Sequence, residues 1–403
     1  MSSGAQDAVQ APTVPPTVPA DNRVTLMRAL DIAARQNPQR LASAHTVESA
    51  RQNLRGQRSM INPTISFSGI NNTVAPLNFL DSRNYAIYQT IETSGRQVIR
   101  TRTARAQLEG AVAESMTTRI AVQQAVIGAY VSLQTANLNL QSEQQAFADA
   151  GRISELTAEQ FKLGAAPETN AINARIALEQ EANNLRAAGT AVELARASLN
   201  LAMGLDPAAP VDAAEPLEFK PIAPRLADLE EQALRSRPEI QSTEAAERVL
   251  EAAVKQQRSQ YYPDLVLGGT ARFDELFLGA AMPIVDFGAI RGAVRKARED
   301  VEAQRAQVEQ TRQQVRLDVV TAWLALNQTA AQVIRSRDQI VPQAQILFAR
   351  VEQGYRLGGN TILDLLNAQA TLRSVRNDYN TALGSYRQAV AQLERATGGR
   401  APD

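Results

Sequence analysis

Two runs of basic side chains are the densest chemistry-bearing sets in the chain: Arg96, Arg100, Arg102 and Arg105 in one half, Arg291, Arg295, Lys296 and Arg298 in the other. Each run follows a glycine, Gly95 or Gly288, and opens a long helical pattern. Positive charge there opposes the helix dipole, at a cost of up to about 1 kcal/mol for the nearest residue, so something must compensate. One reading pairs these residues with nearby carboxylates such as Glu299 and with lipid phosphates at a membrane surface. The other makes them a basic collar that biases a conduit toward anions. Enzyme chemistry has little to stand on. There is no cysteine, which removes thiolate nucleophiles, zinc–thiolate sites and disulfides. The single histidine, His45, sits in a polar helical stretch without the partners of a metal site or triad and reads as a surface residue. No phosphate-cradling glycine loop follows a strand, and the acidic residues are dispersed along helices as solvated faces. No enzymatic activity and no cofactor are expected.

The elements that carry the basic runs are bounded by composition. Lys plus Arg equals Asp plus Glu, 42 of each in 403 residues, so overall charge recruits no nucleic acid. No apolar run approaches the roughly 18 residues of a membrane-spanning helix. The opening MSSGAQDAVQAPTVPPTVPADN has neither the basic start nor the apolar core of a secretory signal. Either the protein is cytoplasmic or a signal was removed before the numbering begins. The Pro-rich start reads as an extended tether, with order beginning near Val24.

The chain repeats itself at a spacing of about 200 residues. Pro38 answers Pro238, QRSMINPTISFSG answers QRSQYYPDLVLGG, Gly95 answers Gly288, Gly164 answers Gly358 and Gly204 answers Gly398. That period is too long for a solenoid and indicates an internal duplication. Each copy reads as helical up to Pro63 or Pro263, where proline ends the helix. Strands follow: TISFSG and NYAIYQTI in the first copy, DLVLGGTARF and LFLGAAM in the second, the latter pair joined at Asp274–Glu275. Each is about ten residues, the length of a tilted strand across a bilayer. Aromatics flank them as interface girdles would, with Tyr261, Tyr262 and Phe287 at one end and Phe273 and Phe277 at the other. Two isolated hairpins leave open edges poor in protective charge, and closure with other copies of the chain removes those edges.

Beyond Gly95 and Gly288 come runs of roughly 65 residues, Gln97 to Lys162 and Ile290 to Arg356, each about 100 Å long if helical. Sevenfold apolar spacing (Val126, Leu133, Leu140, Phe147; Val294, Val301, Val308, Val315) predicts a coiled coil. Polar residues at the companion positions Gln304, Thr311 and Asp318 suggest water along one flank. Pro342 predicts a kink, either a static bend or one that lets the tip bend inward. The helices turn around at LGAAPET and LGGNT and return over about Asn170–Gly204 and Ile362–Gly398. The glycine of each turn allows the positive φ that stops the incoming helix. Thr361 is the expected N-cap, with Asp364 in the first turn. Trp323 and the linker Pro207–Pro224 read as packing around an equatorial belt.

These tips and the PTISFSG and PDLVLGG strands resemble the TolC family of outer-membrane efflux proteins, from about Val24 to Gly399, most specifically in GYRLGGNTILDLLNAQATL. The resemblance implies a mainly α protomer of long coiled-coil helices plus two β-hairpins. As a homotrimer it would form a twelve-stranded transmembrane barrel in outer-membrane lipid and an α-helical barrel across the periplasm. It also implies docking on a periplasmic adaptor and an inner-membrane transporter. By position Tyr355 and Asp364 look like members of the periplasmic gate. Asn367 stands where a second aspartate is found, and Asn360 where an arginine bridges neighbouring helices. Leu163, Gly164, Leu357 and Gly358 are the implied adaptor contact. The strand-to-helix junctions ETSGRQ and VDFGAIR keep one glycine each, where the family often has two.

The expected organisation is a tether over 1–23 and a first repeat over 24–204, with a hairpin at 64–92 and a tip near 163–169. A linker over 205–225 follows, then a second repeat over 226–399 with a hairpin at 264–284 and a tip near 357–361, and a tail over 400–403. The function expected is a passive exit duct of a tripartite efflux or type I secretion system. The alternative is a soluble periplasmic coiled-coil scaffold or adaptor. Bilayer-length strands at matching points of a duplicated chain favour the duct, because a scaffold has no need of them.

Overall fold

The computed structural model describes residues 22–67, 85–270, 276–281 and 286–399. The tether up to residue 21, the tail over 400–403, Phe273 and the Asp274–Glu275 turn lie outside the described residues. The first copy comprises β1 (Arg23–Val24), α1 (Leu26–Gln36), α2 (Pro38–Gln57), β2 (Thr64–Phe67), β3 (Tyr85–Ile91), α3 (Arg96–Lys162) and α4 (Glu168–Met203). A short strand β4 (Asp212–Ala213) lies in the linker. The second copy repeats the order as α5 (Leu226–Ser236), α6 (Pro238–Ser259), β5 (Asp264–Thr270), β6 (Leu276–Ala281), α7 (Ala289–Arg335), α8 (Val341–Arg356) and α9 (Ile362–Ala396).

The helix expected before each hairpin is two helices in both copies. Asn37 and Arg237 are extended, with ψ of 124° and 121°, because a following proline disfavours the α region. Pro38 and Pro238 then start α2 and α6, where a missing N–H costs nothing. The long second-copy helix is also divided. A π turn over Ser336–Ile340 separates α7 from α8, and the Val341 N–H reaches back to the Ser336 carbonyl. Pro342 sits just beyond, at the start of α8. The wider turn absorbs the lost hydrogen bond and the ring's steric demand. The first copy runs through the corresponding stretch without a break.

Contacts gather the chain into two compact units, each drawing on both copies. The first comprises the chain up to Pro38, Val122–Ala223 and Leu324–Gln392; the second comprises Gln39–Ala121, Pro224–Trp323 and the chain from Leu393. In the first unit Val24, Val126, Tyr130, Leu133, Leu199, Met203 and Val211 form one core cluster. The linker is bound into it. β4 pairs in parallel with β1, matching Arg23 with Asp212 and Val24 with Ala213. The Tyr130 hydroxyl donates to the Val24 carbonyl (3.0 Å) and accepts from the Glu215 N–H (3.3 Å). The Tyr386 hydroxyl donates to the Lys220 carbonyl (2.6 Å). Burial pushes both phenols above their ordinary range. Arg337, inside the π turn, stacks over Phe219 of the linker at 5.6 Å from the ring centroid.

In the second unit the four-valine stripe is buried as its spacing predicts. The polar companions are bonded more than the expected watery flank implied. Gln304 donates to the Thr243 carbonyl (3.1 Å), and Asp318 accepts from Arg237 (2.8 Å). On α3 the expected seam holds at Val126 and Leu133, but Phe147 is exposed and Ala146, Ala150 and Ile153 are buried instead. A straight helix drifts about 20° per heptad from a strict sevenfold repeat, so the buried stripe moves off Phe147.

The two strand pairs of the second unit merge. β2, β3, β5 and β6 form one antiparallel sheet in that order, and β3 pairs with β5 from Ala86↔Thr270 to Ile91↔Leu265. The edges are β2 and β6. They are described over Thr64–Phe67 and Leu276–Ala281, each bordering residues outside the described set.

Candidate functional site

Two places gather the residues singled out by the sequence, one in each unit. At the helical tips of the first unit, Gly164 and Gly358 take the expected positive φ of 71° and 79°. Each carries the closing bonds of a helix end: Ala165 N–H to the Gln160 carbonyl (2.8 Å), and Gly359 N–H to the Gly354 carbonyl (2.8 Å). The turns hold their leucines outward, with Leu163 82% and Leu357 79% exposed. Asn360 folds back onto its own turn, its side chain lying where a Cβ on Gly354 would be.

Thr361 and Asp364 form a capping box at the start of α9. The Asp364 N–H donates to Thr361 Oγ1 (3.2 Å), while the carboxylate accepts from the Thr361 N–H (2.9 Å) and hydroxyl (2.7 Å). The Thr361 hydroxyl, then its N–H, holds the Asp364 carboxyl below the usual carboxylate range. Asp364 and Asn367 are both exposed, three residues apart on one helix, and so share a face. Tyr355 is buried among Ile153, Ala174, Ile362 and Leu365. Its hydroxyl donates to Gln160 Oε1 (2.8 Å), tying the end of α8 to the end of α3, and burial pushes the phenol up.

At the strand-to-helix junctions of the second unit most of the basic residues find carboxylates. Arg96 pairs with Asp264 and donates to Ser259 Oγ (3.2 Å). Arg100 meets Glu92 at 2.7 Å, Arg105 meets Glu109 at 4.0 Å, Arg291 meets Asp286 at 3.4 Å and Lys296 meets Asp300 at 2.7 Å. Glu299, the partner suggested by the sequence, makes no ion pair among the described residues. Asp286 caps α7, accepting from the N–H groups of Gly288 (2.9 Å), Ile290 (3.1 Å) and Arg291 (3.2 Å). Partial burial pushes its carboxyl up, but those N–H groups and the Tyr261 hydroxyl outweigh burial and hold it low. This negative cap offsets the basic residues that follow it on α7. On the sheet Ile65 is 61% and Leu278 68% exposed, apolar side chains left without cover on the two edge strands.

Sequence reasoning missed a buried charged cluster in the first unit. Arg373 of α9 meets Glu181 of α4 at 2.9 Å and Glu143 of α3 at 3.9 Å, and both carboxylates are buried. Asn184 donates to Glu181 (3.0 Å) and Asn377 to Glu143 (2.5 Å). The available signal was Glu181, which stands one heptad after Ala174 on the buried stripe of α4. Among the described residues no group of three or more His, Cys, Asp or Glu could hold a metal ion, and no helix is long and apolar enough to cross a membrane.

The outer membrane efflux protein family matches residues 29–205 and 229–399, most of the chain and both copies. The chain belongs to that family. This efflux protein is similar to the cobalt-zinc-cadmium resistance protein CzcC of Cupriavidus metallidurans, 24% identical over 93% of the chain and 90% of the relative. It is 30% identical to the pyoverdine export outer membrane protein OpmQ of Pseudomonas putida, over 44% of the chain and only 40% of that relative's length. Its fold matches the CmeC outer membrane channel of Campylobacter jejuni with a TM-score of 0.79 at 18% identity, over 93% of this chain and 85% of that one. It matches CusC with a TM-score of 0.78 at 16% identity, over 93% and 92%. The family is one of efflux proteins and not of enzymes, and the fold is that of outer membrane channels. Outer-membrane efflux follows from the family, and the soluble-scaffold alternative falls.

Proposed function

We propose that this efflux protein is the passive exit duct of a tripartite assembly. Three copies close their four-stranded sheets into a twelve-stranded barrel in the outer membrane, and their long helices line a tunnel that meets an adaptor and an inner-membrane pump. The carrying observation is the sheet: β2-β3-β5-β6 is drawn from both copies and ends in two edges that are unpaired among the described residues, with apolar side chains exposed. An open edge of that kind is an aggregation hazard unless it is paired, and closure with sister chains pairs every edge. Membrane lipid then covers the apolar side chains that water would disfavour.

At the tips, Leu163 and Leu357, held outward by Gly164 and Gly358, form the adaptor contact. Asp364 and Asn367 face the entrance, and three copies of the low-pKa Asp364 carboxylate make an anionic constriction that attracts cations. Tyr355 acts from within, bracing α8 against α3 so that the entrance moves as a unit. The collar is chiefly a set of ion pairs at the membrane-side helix starts, with Arg102, Arg295 and Arg298 left without a carboxylate partner among the described residues. One relative is named for pyoverdine and the other for cobalt, zinc and cadmium. Such different cargoes in one family fit a duct whose pump makes the choice.

The test is extraction, mass and conductance. The full chain should require detergent, run as a trimer, and give ion-conducting channels in planar bilayers whose cation preference falls in Asp364→Asn. A monomer that stays soluble without detergent would sink the proposal.

A further inference from the structure

In the second unit, α3 and α6 leave a cleft of about 230 Å³ between them. Its lining comes from one stripe of each helix: Ile99, Arg102, Ala106 and Glu109 on α3, Arg248, Ala252 and Lys255 on α6, with Arg105 and Glu251 completing the walls. The buried alanines Ala106 and Ala252 are small, which leaves the gap open, and long cationic side chains rise around it.

The charges around it do not balance. Four cations face two carboxylates, and both carboxylates are occupied. Glu109 meets Arg248 at 3.0 Å and Arg105 at 4.0 Å, while Glu251 meets Arg305 of α7 at 3.6 Å. Arg102 and Lys255 have no partner among the described residues, and both are exposed. Two unspent cations therefore share one concave, half-apolar pocket. An anion that accepts several hydrogen bonds at once satisfies both, and a phosphate does so best, since a guanidinium binds it by two parallel bonds and an ammonium as a point charge. Arg102 lies six residues into α3 and Lys255 four residues from the end of α6, so both stand within about 9 Å of a strand-bearing helix end.

We propose that the α3–α6 cleft is a binding site for a phosphate group, held by Arg102 and Lys255 with Arg105 and Arg248 beside them. That the phosphate belongs to a lipid headgroup rests on the outer-membrane reading above; that the cleft takes phosphate at all does not. The apolar floor of Ile99, Ala106 and Ala252 suits the glycerol and first acyl carbons of a headgroup.

The experiment uses the full-length protein in detergent and in nanodiscs, comparing Arg102→Gln/Lys255→Gln with Arg316→Gln/Arg335→Gln. The second pair removes the same charge from exposed, unpaired positions on α7 outside the cleft. Native mass spectrometry counts phosphatidylglycerol retained per protomer, and thermal midpoints compare inorganic phosphate with chloride at equal ionic strength. The wild type and the α7 pair should retain lipid and the cleft pair should lose it at least fivefold. A phosphate-induced rise in midpoint, absent only in the cleft pair, with no difference in lipid retention, assigns the site to free phosphate and supports the core proposal. Equal behaviour of the two pairs on both measurements overturns the site. Extraction without detergent would overturn the membrane reading while leaving the phosphate measurement standing.

Discussion

The two copies meet the end of their own return helix with the same elbow, built from different side chains. In the first unit the α1–α2 junction lies on Gly204, and Asn37 donates to the Ala202 carbonyl (2.9 Å). In the second the α5–α6 junction lies on Gly398, and Arg237 donates to the Arg395 carbonyl (3.1 Å). Both glycines have positive φ, 81° and 88°. A Cβ on Gly204 would come within 2.8 Å of the Gln36 carbonyl, and one on Gly398 within 2.5 Å of Ser236 Oγ. The neutral amide of Asn37 has become a guanidinium that also binds Asp318 (2.8 Å) and Glu239 (3.1 Å). Backbone geometry is what duplication kept; the electrostatics over it diverged.

That comparison can be broken first at the glycines. Gly204→Ala and Gly398→Ala should each lower stability by about 3 kcal/mol, left-handed strain and overpacking together, in denaturant unfolding of the solubilised protein. A large loss in one copy only would show that the elbows are not equivalent. Next, Arg237→Met should cost about 2 to 3 kcal/mol, because it strands two carboxylates, yet less than a fully buried pair would, since both retain water. Asn37→Ala should cost about 1 kcal/mol, one buried carbonyl losing its donor. Equal losses from these two would show that the added ion pairs contribute nothing.

At the tips the copies differ again. α4 starts after Pro167 with no side-chain cap, whereas α9 has the Thr361–Asp364 box. Thr361→Ala should cost about 1 kcal/mol and speed amide exchange over Ile362–Leu365. Asp364 and Asp286 both have carboxyl pKa values held below the unfolded range. Their contribution is fully present above the unfolded pKa of about 3.9 and is lost as pH falls through the folded value. Amide exchange corrected for pH should therefore rise at the starts of α7 and α9 between pH 5 and pH 3, and less at the start of α4. The smallest effect is expected at Pro342→Ala, below about 1 kcal/mol, with the π turn relaxing toward α-helix. Exchange patterns over Ser336–Ile340 that do not change would assign the turn to the Arg337–Phe219 stack.

Much of this was legible. Proline and glycine act through local backbone geometry, so Gly164, Gly204 and Gly358 marked helix ends, and Thr361 with Asp364 marked the cap, from sequence alone, whereas α2 and α6 stop at Gln57 and Ser259, short of the Pro63 and Pro263 expected to end them. The split at Pro38 and Pro238 was legible too, in the proline rule itself, although a continuous helix was expected there. Other features required neighbours distant in sequence. Tyr355 reads as a gate residue by position, yet it is buried against residues some 200 positions earlier, and nothing in its own helix announces that. The Arg373 cluster looks like an ordinary solvated face until α3, α4 and α9 are brought together. The collar showed its cations, but its chosen partner, Glu299, was wrong, because Asp264, Glu92 and Asp286 are brought there by strands and turns.

The sequence by itself determined the duplication, the succession of helix, strands and helical hairpin in each copy, and the glycine turns at the tips, since those rest on φ restrictions and on periodicity that each residue carries locally. Only the tertiary structure decided that the two hairpins share one sheet, that compact units draw on both copies, and which charges are spent and which remain free. Pairing and burial are sums over residues far apart in the chain, and no single stretch encodes them.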